Sequence, residues 1–409
     1  MKKLLNDQLF DFVSRENGKR NKSRVSSLNI DKQSIPIFTN EYWTSKQRQA
    51  HSIHEVSYRA CFKPQLPRFF IERLTKPGDV VYDPFSGRGT TIIEAALLQR
   101  NIIANDINPL SAILSQSRLI IPSIEEITER LEKISLKTKT SSNIDLSMFY
   151  HKETMSEILS LKKYLHSRSQ KSEEDSIDRW IRMVATNRLT GHSKGFFSVY
   201  TLPPNQALSA ESQRKINRLR KQKPEYRNVK DIILKKSKQL INQINDEQKK
   251  TLGKAAKKAA FITADARVTK KIKNNSVALT VTSPPFLDVV QYVNDNWLRC
   301  WFNGIDAKKV SINITMSRTL DDWCNVMGDV FRELYRITKK NGWVAFEVGE
   351  VRSGTIKLEE YVVNLGLLAG FRCEAIMINQ QQFTKTANIW GVDNNSKGTN
   401  SNRIVLFTK

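Results

Sequence analysis

Two short strings in this chain combine residue types that could hold a ligand and act on it. The first is Asp83-Pro84-Phe85-Ser86-Gly87-Arg88-Gly89-Thr90-Thr91. It follows the β-branched run Val80-Val81-Tyr82 and opens a good helical segment, Thr90 to Arg100. Glycines at 87 and 89 let the backbone turn tightly and approach a ligand closely. The start of the next helix offers unpaired amides. Asp106 ends a second strand-like run 23 positions after Asp83, where a carboxylate suits ribose hydroxyls. Position 92 is Ile, so this is not the Gly-x-Gly-x-x-Gly pattern. The second string is Thr282-Ser283-Pro284-Pro285-Phe286, directly after Val277–Val281. Each proline biases the residue before it away from helix, so Ser283 and Pro284 are expected to be extended. Their carbonyls then become rigid acceptors and the serine hydroxyl stays available. Taken singly, these strings could be a glycine turn and a proline turn. Together at strand ends of one sheet they describe a site.

The surrounding pattern supplies such a sheet. Leu66, Phe69, Phe70 and Leu74 have helical spacing, started by Pro67 and stopped at Pro77-Gly78. Strands are expected at 80–83 and 101–106, with helices at 90–100 and 111–119. The strand–helix–strand alternation points to a parallel sheet. It resumes with strands at 260–263, 277–281, 343–348, 371–378 and 404–407, and a helix carrying Val326, Val330, Leu334 and Ile337. Between lies a polar, charged, helical stretch of roughly 130–140 residues, far beyond an ordinary connection. The reading is an α/β, doubly wound, mostly parallel sheet in 55–120 and 258–409. A helical basic insertion occupies 121–257, and 1–54 form a basic N-terminal arm, expected to be loosely ordered up to about residue 40.

The 409 residues carry a formal charge of +25 and a pI near 9.8, which points to a polyanionic partner. Between Glu211 and Lys258, 16 Lys and Arg face 5 Asp and Glu. Such a run is often only a solvated helix face, but an excess this one-signed favours phosphate binding. Arg214, Lys215, Arg218, Arg220, Lys221 and Lys235 are the candidate phosphate contacts, and so the candidate DNA contacts if the polyanion is DNA. The Gly191–Leu208 stretch, rich in glycine and aromatics, is expected near that polyanion or as a packed connector. No run is apolar enough to span a bilayer, and the start does not read as a signal peptide. The four cysteines include no Cys-x-x-Cys pair and the five histidines form no ligand set. No metal site is expected, and a reducing cytoplasm fits.

DPFSGRGTT resembles the cofactor motif of the amino-group DNA methyltransferases. Phe62-Lys63-Pro64-Gln65-Leu66-Pro67 resembles the Lys-Pro-x-x-Leu element that precedes it, and Ala264-Asp265-Ala266 the element that contacts an adenine ring. TSPPF resembles the Ser-Pro-Pro-Tyr motif of cytosine-N4 enzymes, with Phe for Tyr. Adenine-N6 enzymes usually carry Asp, sometimes Asn or Ser, at its first position. The resemblance spans about 55–120 and 258–409. It implies a Rossmann-like class I methyltransferase fold and S-adenosylmethionine as cofactor. Asp83, Phe85, Gly87 and Gly89 would line its methionine side, with Lys63, Pro64 and Thr90 in the same site. Asp106 would hold the ribose and Asp265 the adenine amino group. Ser283, Pro284, Pro285 and Phe286 form the implied catalytic set.

An exocyclic base amine is a poor nucleophile because its lone pair is delocalised. Acceptors on both N–H groups would favour a pyramidal nitrogen able to attack a sulfonium methyl in line, through positioning and electrostatics. Phe286 would stack on a base flipped from the duplex. The expectation is a site-specific cytosine-N4 DNA methyltransferase of a restriction–modification system, with any cognate restriction endonuclease a separate chain. Rival readings are an adenine-N6 enzyme, an RNA base methyltransferase and an inactive DNA-binding protein on the same scaffold. No Pro-Cys pair supplies the nucleophile of cytosine-C5 chemistry.

Overall fold

The computed structural model describes residues 9–10, 12–13, 20–30, 33–43, 51–59, 61–136, 142, 144–201, 208–285, 292–313, 319–349, 356–380 and 401–409. Nine strands among them form one sheet: β1 (Arg24–Ile30), β2 (Gln33–Asn40), β3 (Val80–Asp83), β4 (Asn101–Asp106), β5 (Ala260–Thr263), β6 (Val277–Thr282), β7 (Thr338–Val348), β8 (Arg372–Gln380) and β9 (Ser401–Thr408). Their order is β1-β2-β8-β9-β7-β6-β3-β4-β5. The run from β7 to β5 is parallel; β9 lies antiparallel between β7 and β8. Along the strands, side chains alternate between two apolar layers, as the period of two requires. Val81, Ile102, Leu279, Ala345 and Leu406 enter one layer, and Tyr82, Val344, Phe346, Val405 and Phe407 the other. The expected α/β, mostly parallel architecture is what forms. Strand order reverses between β3 and β6, the place where open α/β sheets leave a crevice beyond their carboxyl ends.

The expected helices α1 (Gln65–Leu74), α2 (Thr90–Leu97) and α3 (Leu110–Gln116) are present, and α12 (Leu320–Ile337) carries the Val326–Ile337 stripe. The insertion supplies α4 (Ile124–Lys133), α5 (Lys152–Gln170), α6 (Ser176–Arg188), α7 (Ala210–Leu219), α8 (Val229–Ile241) and α9 (Asp246–Ala256). After the catalytic string come α10 (Tyr292–Asn303) and α11 (Ala307–Asn313), and α13 (Leu358–Leu368) precedes β8. The insertion has no core of its own: Phe149, Trp180, Ile233 and Leu240 belong to the same apolar cluster as Val81 and Ile92. Asp178 is fully buried and accepts from Arg168 Nε at 2.9 Å, while Trp180 Nε1 donates to Ser237 Oγ at 3.0 Å, tying α6 to α8.

Residues 24–30 and 33–40 are not a loose arm. β1 and β2 form an antiparallel hairpin, and β2 extends the sheet by pairing parallel to β8. Leu28, Ile30, Ile35 and Ile37 add to one apolar layer. Alternate apolar residues on either side of Asp31-Lys32 carry that signal, and the polar composition around them masks it.

Residues 51–59 bridge the insertion and the cofactor loop. Ser52 N–H donates to Gln243 Oε1 at 2.8 Å, Lys236 Nζ pairs with Glu55 at 3.2 Å and Asn187 Nδ2 donates to Ser57 O at 2.9 Å. From the other side, His54 Nε2 donates to Glu94 Oε1 at 2.6 Å, Arg88 Nη1 to Val56 O at 2.9 Å and Arg118 Nη1 to Ile53 O at 3.1 Å.

Candidate active site

β3 delivers Asp83 to the crevice, and the loop behind it turns through two left-handed glycines, Gly87 (φ 50°) and Gly89 (φ 78°). The two do different work. Gly87 N–H donates to Asp106 Oδ2 at 2.8 Å and faces the pocket. A Cβ on Gly89 would lie 2.4 Å from Ser115 Cβ, so Gly89 serves the close approach of α2 to α3 and does not line the pocket. Asp83 is buried and accepts from Phe85 N–H at 3.1 Å and the Thr282 hydroxyl at 2.7 Å. Burial, with the Asp106 charge adding to it, pushes its carboxyl up to about 7. Burial likewise raises Asp106 to about 6, although it accepts from the backbone of Gly87 and Asn108. Two carboxylates whose own donors do not offset their desolvation form a cradle suited to a cation.

The pocket around them has a volume of about 1040 Å³, its open mouth included. Asp83, Phe85, Gly87, Thr90, Asp106, Asp265, Ser283 and Pro285 all line it. Asn105 ties two walls together by donating to Pro84 O at 3.1 Å and Ala264 O at 3.0 Å. Asp265 is paired with Arg267 at 2.6 Å. Burial works against the charge of Asp265, but the Arg267 guanidinium and N–H hold its carboxyl below the ordinary range.

Lys63, Pro64, Gly89 and Pro284 are not among the lining residues; Tyr58, Cys61 and Phe62 take the place expected of the Lys-Pro pair. Pro64 instead stands at the N-cap of α1. The facing wall is Trp323, Val326, Met327 and Val330 of α12. Their helical spacing reads equally well as plain core, so the sequence had no means of marking them as a pocket wall.

The catalytic string starts where β6 ends. Ser283 hydrogen-bonds the carboxylate of Glu347 on β7, which also accepts from Asn402 Nδ2 at 3.0 Å. Burial raises the Glu347 carboxyl above its ordinary value. Glu347 was invisible in the sequence because its position is set only by the β6–β7 register, Thr282 opposite Phe346. Trp323 Nε1 donates to Pro285 O at 3.0 Å, fixing that peptide. Phe286 lies outside the described residues, as do Pro203 and Pro204 of the loop before α7.

None of the candidate DNA contacts lines the pocket. They lie on and around α7 and α8, and the structure divides them. Arg214 pairs with Asp145 at 2.9 Å, Lys215 with Glu211 at 2.9 Å, and Arg220 stacks 3.8 Å over Tyr200. Arg218, Lys221 and Lys235 are exposed. Two other members of the run turn inward: Arg227 donates to backbone carbonyls of the 193–198 loop, and Lys236 is buried against Glu55. The insertion also reaches the segment following the catalytic string, where Trp297 Nε1 of α10 donates to Leu208 O at 3.1 Å.

Comparison with known sequences bears on this arrangement directly. A family model described as DNA methylase matches residues 8–114, and one described as D12 class N6 adenine-specific DNA methyltransferase matches 63–265. Together these two DNA methyltransferase models match residues 8–265 of the chain. The chain is similar to the Type II methyltransferase M.BsoBI of Geobacillus stearothermophilus, 22% identical over 310 residues, 70% of this chain and 61% of the relative. It is 32% identical to Type II methyltransferase M.MjaII of Methanocaldococcus jannaschii over 97 residues, 24% of this chain and 18% of that protein. M.MvaI of Kocuria varians is 35% identical over 97 residues, 22% of this chain and 21% of that protein. The match therefore spans less than two thirds of each of these relatives. Solved structures similar to it include an rRNA methyltransferase from Streptomyces viridochromogenes (TM-score 0.34, 10% identity, 90% of this chain and 94% of that one). A TehB-like SAM-dependent methyltransferase from Corynebacterium glutamicum has a TM-score of 0.30 at 7% identity, over 84% and 86% of the two chains. The match described as adenine-specific ends at Asp265 and does not reach Ser283. No described helix is long and apolar enough to cross a membrane, and no described acid, histidine and cysteine cluster could hold a metal.

Proposed function

We propose that this chain transfers a methyl group from S-adenosylmethionine to an exocyclic amino nitrogen in duplex DNA, with cytosine N4 as the target. The observation that carries the reading is the junction of the two strings. Asp83 and Thr282 end neighbouring parallel strands and share a 2.7 Å hydrogen bond, and Asp83 and Ser283 line one pocket.

The residues present fit the cofactor. Asp83, buried, and Asp106, half-buried, offer an anionic cradle to a ligand that carries cationic groups, beside Phe85, Gly87 and Thr90 on the methionine side. Asp106 faces the ribose and Asp265 the adenine end; Lys63, Pro64 and Gly89 act from behind the lining. S-adenosylmethionine supplies an electrophilic methyl on a sulfonium. The chain positions the nucleophile. The Ser283 proton is directed at Glu347, so the lone pairs of its oxygen serve as acceptor for one amine N–H, and the Pro284 carbonyl serves the other. Pro285 is held by Trp323, and Phe286 stacks on the flipped base. The 121–257 insertion carries DNA contact and target recognition, and 55–120 with 258–409 carry cofactor and chemistry. A cognate restriction endonuclease would be a separate chain. The four free cysteines suit a reducing cytoplasm.

The second reading is adenine N6, favoured by the description of the family matched over 63–265. Nucleoside mass spectrometry of DNA treated with enzyme and cofactor separates them. N4-methylcytosine supports the first reading and N6-methyladenine the second; 5-methylcytosine contradicts both. An absence of any methylated base leaves an inactive DNA-binding scaffold.

A further inference from the structure

Next to Tyr58, which lines the pocket, the chain buries two arginines close together. Arg188 ends α6 and is 8% exposed. Its Nε donates to Asn187 O at 3.0 Å, its Nη2 to Asn187 Oδ1 at 2.9 Å, and its guanidinium lies 4.0 Å from the Phe196 ring centroid. Among the described residues no carboxylate pairs with it. Arg299 of α10, 6% exposed, converges on the same spot: its Nη2 donates to Ser57 O at 3.2 Å, while Ser57 N–H donates to Asn187 Oδ1 at 3.2 Å. Burial lowers the Arg188 guanidinium to about 10, and the Arg299 charge adds to the effect. The carboxylates nearby form their ion pairs with other cations, both Asp295 oxygens accepting from Arg59 Nη1 at 2.9 Å and Glu55 pairing with Lys236 at 3.2 Å, although the charge of Asp295 also acts on Arg299 and that of Glu55 on Arg188.

Removing a guanidinium from water without a counter-anion is costly. A planar donor fork, held by a neutral amide and stacked on a ring, matches an oxyanion well. The pocket is one residue away, because Tyr58 lines it and its ring centroid lies 5.8 Å from the Arg299 guanidinium. We propose that Arg188, with Arg299 beside it, binds one backbone phosphate of the DNA strand that presents its base to the pocket. This rests on the DNA methyltransferase reading above and names the contact that would hold the strand at the pocket mouth.

The test uses the full chain and a duplex carrying a site that the parent methylates, mapped beforehand by sequencing modified DNA. Arg188→Met and Arg188→Gln are compared with the parent for thermal midpoint, cofactor affinity and salt-dependent DNA affinity. Neutral methylphosphonates are then placed one at a time around the target base. Replacing an uncompensated buried cation with an apolar chain of similar length should leave the midpoint of the Met variant equal or higher. Cofactor affinity should not change. DNA affinity should fall about tenfold and the log–log salt slope by about one. One methylphosphonate position should weaken the parent about tenfold and leave the Met variant unaffected. Unchanged DNA affinity and slope would overturn the proposal. So would failure of both variants to fold, which makes Arg188 a structural group, or a loss confined to cofactor affinity, which makes the anion the cofactor's carboxylate. A parent that neither binds nor methylates duplex DNA defeats the earlier reading as well, whereas a parent that does both beside a Met variant with parental slope defeats this one alone.

Discussion

At Asp83 and Asp106 the protein gathers negative charge in a crevice and leaves it undercompensated, whereas at Arg218, Lys221 and Lys235 it sets positive charge out in water. In the crevice each group has a fixed neighbour, and desolvation makes every interaction strong. On the helices, solvent and salt screen each cation, and binding strength comes from their number. Substitutions in the first region should therefore act individually and steeply, and those in the second gradually and together.

The steepest expected loss is at Ser283. Ser283→Ala should lower turnover about 100- to 1000-fold, the scale of a lost donor or acceptor acting mainly in the transition state. Cofactor and DNA affinities should hold in calorimetry and filter binding. A variant retaining parental turnover would move the chemistry away from β6.

Next is the anionic cradle. Asp83→Ala should weaken cofactor binding by about 100-fold or more, because it removes the buried acceptor. The pH dependence follows from the raised carboxyls. Folded Asp83 keeps its proton up to about pH 7 and unfolded Asp83 only to about 3.8, so between these values the folded chain binds more protons. Stability of the cofactor-free protein should fall as pH rises through that window. Cofactor affinity should rise over pH 5–7, by up to tenfold per unit, and level off above. Melting curves and calorimetry across pH check both slopes, and Asp83→Asn should flatten them.

The two glycines separate binding from folding within the same loop. Gly87→Val should impair cofactor binding by filling the turn beside Tyr58. Gly89→Ala should chiefly lower stability, by about 1–3 kcal/mol, through backbone strain and overpacking against Ser115. Equal effects on the cofactor would show that Gly89 reaches the ligand after all.

The mildest expected effects belong to the exposed cations. Arg218→Ala, Lys221→Ala and Lys235→Ala combined should lower the DNA salt slope by up to about three, roughly one per lost phosphate contact. Arg214→Ala and Lys215→Ala, already paired with Asp145 and Glu211, should each do less. Unchanged slopes would make this face merely solvated.

The strands and helices that place the site were legible because their signals are local: Val80–Asp83 ends in an acid, and glycines and threonines follow. The Asp83, Asp106 and Ser283 juxtaposition was legible from the positions of these strand ends. Register and remote packing were not. Glu347 reaches Ser283 only through the pairing of β6 with β7, and Tyr58 stands over Gly87 because arginines 88 and 118 draw the chain there. That Tyr58, Cys61 and Phe62 line the pocket and the Lys63-Pro64 pair does not was hidden for the same reason. The N-terminal hairpin was hidden by composition, since its apolar alternation is short and its exposed face polar.

On the proposal that 121–257 carries target recognition, the bridge formed by residues 51–59 bears on how the protein could be given a new target sequence. An exchange of residues 121–257 alone would leave Ser52, Glu55 and Ser57 facing foreign helices, because Gln243, Lys236 and Asn187 would leave with the insertion. A transplant of specificity would have to carry the 51–59 segment with the helices and still offer Arg88 and Arg118 the carbonyls they hold. The unit of inheritance is thus discontinuous: two stretches separated in sequence behave as one exchangeable part.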